Sequence, residues 1–350
     1  MSDGRRDGTP RHVRILFMAC WASLAPSISL LDAQTLKLEE VGTISERADV
    51  VRVQGTFVYL GAGPKFSIVD ITDLSAPKPR GTLTLPGPVA AIALSGSVAY
   101  VANGLAGLAI VDVSNPDAPS VAGSFKTPGE ALRLGISGTK AVVANRMSGL
   151  EVVDVSNIAK PVSVGSFYTD GYLRDVAMLG SLAYLVDSTT DFSVVDLSKP
   201  GLPSLSTQTL GGGTDNVVVT PSGSARGANT AYVMGRGALQ VYDISNPSAP
   251  VKVITYKIPG PAPSCGAPPC AALAVQGSQA YVAAGSEGVL IIDFSDSAKP
   301  AVAGSYKTAG PARDVAVAGS LVFVAVGDAR PVDGSKAGPR GGVIILRRSP

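Results

Sequence analysis

Carboxylates at regular intervals are the first chemical signal in this chain. Asp70, Asp112, Asp154, Asp196, Asp243 and Asp293 each sit in nearly the same phrase: IVDITDLSAP at 68–77, IVDVSNPDAP at 110–119, VVDVSNIAKP at 152–161, VVDLSKPGLP at 194–203, VYDISNPSAP at 241–250 and IIDFSDSAKP at 291–300. A ring of carboxylates is a calcium-binding chemistry. An Asp followed by Ser, Asn and Pro has a second use: its side chain accepts the backbone N–H groups of the turn that follows. Prolines such as Pro116 and Pro119 then stiffen that turn by fixing φ. One residue type repeated in every unit is what a fold requires, whereas catalysis needs different types converging on one point. The repeated aspartates are therefore read as structural.

A less uniform set opens the first strand of each repeat: Asp49, Arg133, Arg174, Asp175, Asp215, Asn216, Arg313 and Asp314. Acid, base and amide together suit either salt bridges between units or a polar pocket for a small ligand or peptide end. Asp49, Asp175, Asp215, Asn216 and Asp314 are also the oxygen donors a calcium ion would take. Two repeats offer only Ala90, Ala91, Ala271 and Ala272 at this place. Strand alternation argues that Arg174 and Asp175 do not face the same way.

Other chemistry is poorly supplied. The one histidine, His12, lies in the N-terminal segment 1–33, so serine–histidine and zinc–histidine arrangements have no partner in the rest of the chain. The triple glycine at 211–213 has no lysine and no helix after it, so it is a connector and not a phosphate loop. Of three cysteines, Cys20 lies near the N-terminus, and Cys265 and Cys270 bracket the turn CGAPPC. That pair reads as a structural disulfide, with a free or redox-active pair as the alternative.

The segment 1–33 differs from the rest. Arg5, Arg6, Arg11 and Arg14 precede an apolar stretch at 15–31, and LDAQ follows at 31–34. This order reads as a signal peptide cut before Gln34. An uncleaved anchor, or lipidation at Cys20, are the other readings. Without residues 1–33 the chain carries 25 basic and 24 acidic residues. It has no basic stripe with interleaved aromatics, so nucleic acid is not the expected partner. No later segment reaches the ~18 consecutive apolar residues of a membrane span, and a monomer is expected.

The elements that position these residues follow from the repeat. The aspartates step by 42, 42, 42, 47 and 50 residues, and IILRRSP at 344–350 is a seventh copy with Leu346 in the aspartate's place. Units of this length, made of strands, build a β-propeller. In the third unit, 131–137, 140–145, 150–156 and 162–168 read as four strands. A glycine precedes the second strand at Gly55, Gly96, Gly138, Gly180, Gly277 and Gly319, where a short hairpin needs φ > 0. The last unit lacks a fourth strand, whereas LEEVGTI at 38–44 resembles one. The first strand is therefore expected to complete the last blade, which also hides an open sheet edge. The expectation is an all-β, seven-bladed propeller over 34–350, with four-stranded blades starting near 49, 88, 130, 172, 214, 270 and 311. First strands should start near Val50, Val89, Ala131, Leu173, Asn216, Ala271 and Ala312.

IVDVSNP, the turn glycine, AYVA at 280–283 and RDVAVAG at 313–319 resemble the LVIVD-repeat family of exported or surface proteins of bacteria and archaea. The resemblance implies a propeller in a secreted, periplasmic or cell-surface setting and implies no particular reaction. The leading expectation is a non-catalytic exported propeller that binds a protein, peptide or glycan through its loop face and channel mouth, with no cofactor. The alternative is a metal-assisted, lactonase-like hydrolase using calcium at the mouth, and a third is a purely structural envelope component. Loops 257–270 and 327–341 are longer than hairpins require and fall on the face of the mouth residues. That face is expected to do the binding.

Overall fold

The computed structural model describes residues 36–189, 191–210, 214–222, 228–235, 237–259, 272–296, 299–328 and 341–349, all within the unit 34–350. They form seven four-stranded antiparallel sheets, the blades of a seven-bladed β-propeller. Segment 1–33, read from the sequence as a signal peptide, the Cys265–Cys270 pair, Ala271 and most of the 257–270 and 327–341 loops lie outside the described residues.

First strands begin at Val50, Ala91, Arg133, Leu173, Asn216, Leu273 and Ala312. Three of these starts fall later than the sequence suggests. In the third blade Ala131 makes a bridge with Gly104 of the preceding blade, as Leu173 and Ala312 do with Arg146 and Gly285, and its strand begins at Arg133. The hairpin glycines Gly55, Gly96, Gly138, Gly180, Gly277 and Gly319 all lie in the left-handed region, with φ from +57 to +62. That conformation strains any residue bearing a side chain. In blade five the hairpin glycine is replaced by the longer 220–229 loop, where the Ser222 N–H donates to Asn229 Oδ1 at 2.5 Å.

The ring closes as the sequence implies. Lys37–Ile44 pairs with Gly342–Ser349, from Lys37↔Ser349 to Ile44↔Val343 with a one-residue register shift between Glu40 and Gly42, and serves as the fourth strand of blade seven. The third strand of that blade continues past Leu346 to Ser349. In the other blades the aspartate caps the turn into the fourth strand. Blade seven has no such turn, because its fourth strand comes from elsewhere in the chain. The register corrects the sequence reading by one residue: Arg347, opposite Leu321, holds the place the aspartate has in the other blades, and Leu346 is a fully buried core residue equivalent to Val111.

Seven buried apolar clusters hold the blades together, one between each neighbouring pair. Blade seven supplies Phe323 and Ile345, for example, against Val51, Val58 and Leu60 of blade one. Each such side chain contributes about 1.5–3 kcal/mol when fully buried, whereas an exposed ion pair contributes about 0–1 kcal/mol. Cohesion between blades is therefore mainly apolar. In blades one to four the turn after the repeat aspartate also rests on the fourth strand of the blade before it. A Cβ at Gly123 would stand 1.9 Å from Ile158 O, and one at Gly42 would stand 1.8 Å from Leu74 O. The backbones meet so closely there that only glycine fits.

Candidate functional site

The first strand of each blade stands beside the first strands of both neighbours, so these strands form the innermost ring. Antiparallel connections put the turns after second and fourth strands on one face and the remaining turns on the other. The residues that open the first strands gather at the first of these faces.

Blades four and seven both carry Arg-Asp-Val there, at 174–176 and 313–315. In each, the register slips by one residue at the arginine, between Leu173 and Asp175 and between Ala312 and Asp314. The bulge breaks the strict alternation expected from the sequence. It leaves each aspartate in reach of the next blade. Asp314 Oδ2 accepts the Val51 N–H at 2.9 Å and Arg52 Nη1 at 2.7 Å. Asp175 Oδ2 accepts the Val217 N–H at 2.9 Å and Asn216 Nδ2 at 2.7 Å. The second oxygen of each takes the N–H of its own successor, Val315 or Val176. These two carboxylates thus tie blade seven to blade one and blade four to blade five.

The arginines add to this. Arg313 Nη1 donates to Asp49 Oδ1 of blade one. Arg133, with its side chain 12% exposed, donates from Nη1 to Ala90 O of blade two at 2.9 Å and brings Nε within 3.9 Å of Asp175 Oδ1 of blade four. Burial pushes Asp175 up to about 6, against the pull of Arg133 and of its backbone donors. Burial raises Asp215 as well, with Arg174 and Arg133 opposing it. Burial also lowers Arg133, with Asp175 as the leading counterweight.

The structure thus brings together Asp49 with Arg313, Asp314 with blade one, and Arg133 and Asn216 with Asp175. Arg174 and Asp215 make no ion pair within 4 Å among the described residues, and Arg174 Nε is buried without a hydrogen-bond partner. Ala91 and Ala272 are buried. Arg52 is not among the sequence candidates, although an arginine between the valines of the innermost strand VVRVQ is a readable signal.

The repeat aspartates lie on the opposite face, where Val113 N–H meets Ser97 O of the first hairpin. Asp70, Asp112, Asp154, Asp196, Asp243 and Asp293 each accept, through Oδ1, the N–H two residues on, at 2.6–2.9 Å. This bond holds Asp112 and Asp154 below the usual carboxylate range. Among the described residues no three His, Cys, Asp or Glu side chains are grouped to hold a metal ion. No helix of the described residues is long and apolar enough to cross a membrane.

The mouth face also carries exposed apolar side chains. Leu105 is 70% exposed, Met147 74%, Tyr168 73% and Tyr172 45%. Leu105 and Met147 lie in the loops after the second strands of blades two and three, and both tyrosines lie in the connection from blade three to blade four. Arg146 sits 6.0 Å over the Tyr172 ring and pairs with Glu130 at 2.8 Å. The cation over its face holds that ring in place.

The LVIVD repeat is matched seven times, over residues 47–83, 86–127, 128–169, 170–210, 228–258, 271–308 and 309–330. The chain belongs to the LVIVD-repeat family, a class its blades already define by fold. A search of curated protein sequences returns no significant match.

Proposed function

We propose that this protein is a non-catalytic exported or cell-surface propeller that binds a polypeptide partner through its loop face and channel mouth. The observation that carries this reading is the exposed set Leu105, Met147, Tyr168 and Tyr172. Tyrosine and methionine are enriched where proteins meet. Here they sit on loops fixed by a rigid ring. Arg146 and Glu130 supply polar groups at the rim. Export rests on the order of charge and apolar residues at 1–33. Of the three partner classes, a protein or peptide fits these side chains best, and a glycan stacked on the tyrosines is the competing outcome. No observation favours the hydrolase: Asp175 and Asp314 are already engaged by strand amides.

The test is a photo-cross-linker placed at Tyr168 and, separately, at Val162 on the outer strand of blade three. Both proteins are exposed to the native envelope fraction. A discrete protein adduct at Tyr168, absent at Val162 and lost in the Leu105→Ser, Met147→Ser double variant, supports the reading. Equal labelling at both positions, or retention on a glycan array that the double variant abolishes, overturns it.

A further inference from the structure

Two junctions of the ring use the same positions and are finished differently. Between blades seven and one stand Arg313, Asp314, Asp49 and Val50, and between blades four and five stand Arg174, Asp175, Asp215 and Asn216. In both, the aspartate of the first blade takes the N–H of the second residue of the next strand, Val51 or Val217. At the first junction Arg313 also reaches Asp49. Its path crosses Gly327 so closely that a Cβ there would stand 2.3 Å from Arg313 Nε. The corresponding residue of blade four is Ser188. Gly327 N–H donates to Pro311 O, just as Ser188 N–H donates to Tyr172 O. Ser188 Oγ in turn accepts the Tyr172 N–H at 3.0 Å, so its side chain is held where Arg174 would have to pass.

The second junction is therefore left with unmatched polar groups. Arg174 Nε is buried and unpartnered. Asn216, only 8% exposed, uses Nδ2 on Asp175 and leaves a buried Oδ1 with no donor. The Asp215 carboxyl, half-buried, is raised by burial, and Arg174 and Arg133 both act on its charge. The junction thus holds one buried donor and one buried acceptor that no group satisfies, with the Asp215 carboxyl within reach of the Arg174 charge. Unsatisfied buried groups of this kind are rare in native structures.

We propose that this junction binds a small zwitterion, an α-amino acid, between Arg174 and Asp215. The ligand carboxylate meets the planar guanidinium of Arg174. The ligand ammonium is shared by the Asp215 carboxylate and Asn216 Oδ1. A lone carboxylate or a lone amine satisfies one side and leaves the other buried and unpaired, which is unfavourable. The site lies on the innermost ring and stands independently of the apolar loop face.

Isothermal titration of the full chain with each common L-α-amino acid tests this, with acetate and methylamine as half-ligands. At least one amino acid should bind one per chain, with both half-ligands about tenfold weaker or worse. Arg174→Gln and Asp215→Asn should each weaken that binding by about tenfold or more. Ser188→Gly opens the path that Gly327 gives Arg313. It should let Arg174 close on Asp215, raise the melting temperature and abolish binding, which gives a readout that does not depend on a destabilised variant. The proposal is overturned if no amino acid binds, if acetate alone binds as well as the best amino acid, or if binding survives both Arg174→Gln and Ser188→Gly. Failure of the cross-linking experiment at Tyr168 would leave this result untouched.

Discussion

Asp112 and Asp175 show how one residue type serves different ends in the same fold. Asp112 is exposed and caps a turn through the Ser114 N–H. Asp112→Ala or Asp154→Ala should lower the melting temperature by a few degrees, because a turn amide loses its acceptor. Cross-linking at Tyr168, on the opposite face, should be unchanged; its loss in a variant of unaltered stability would reassign the aspartate to function. Asp175 is buried, and its carboxyl is pushed up to about 6 from an ordinary 3.8. The folded protein thus holds this proton more tightly than the unfolded chain. The group's contribution favours folding at low pH and is lost as pH rises through about 6. Asp175→Asn cannot ionise, so its stability relative to wild type should improve from pH 4 to pH 7, by up to about 3 kcal/mol. Parallel stability curves for the two proteins would remove the idea. The sequence singles out Arg174, Asp215, Arg313 and Asp49 alike. It does not reveal that one pair closes and the other stays open, because that depends on Ser188 against Gly327, residues that lie at no strand opening.

At the scale of the strand, much could be read directly. The hairpin glycines, the four-strand unit and the closing role of residues 38–44 all follow from period and resemblance among repeats. The bulges at Arg174 and Arg313 could not, since a one-residue slip leaves no mark on an apolar–polar pattern. Nor could the close approach of Gly123 to Ile158, which appears only when one blade is laid on the next. Deleting residues 36–44 removes the partner of Gly342–Ser349 and exposes an unpaired edge. Size-exclusion chromatography with light scattering should then show aggregates or an unfolded chain. A monomer that melts as wild type would mean that the closing strand is dispensable.

As a whole, the ring is held by seven apolar seams, and its surface charges are mixed. With 29 basic against 27 acidic residues, the full chain has a formal net charge of +2. Such a balance gives little long-range attraction for polyanions. The protein should pass through a heparin column at about 0.15 M salt without retention, and tight retention would point to a basic surface that the composition hides. The pairing of Lys37 with Ser349 carries one further consequence, for the order in which the molecule is made. Among the described strands, the one that seals the circle is made before all the others, and its mate after them all. Until synthesis reaches residue 342, Lys37–Ile44 has no native neighbour to pair with in blade seven. Joining segments so far apart in the chain is slow, because the loop-closure entropy must be met before any contact rewards it. The propeller therefore cannot complete its circle until its last strand has been made, and until then the waiting strand depends on whatever shields it.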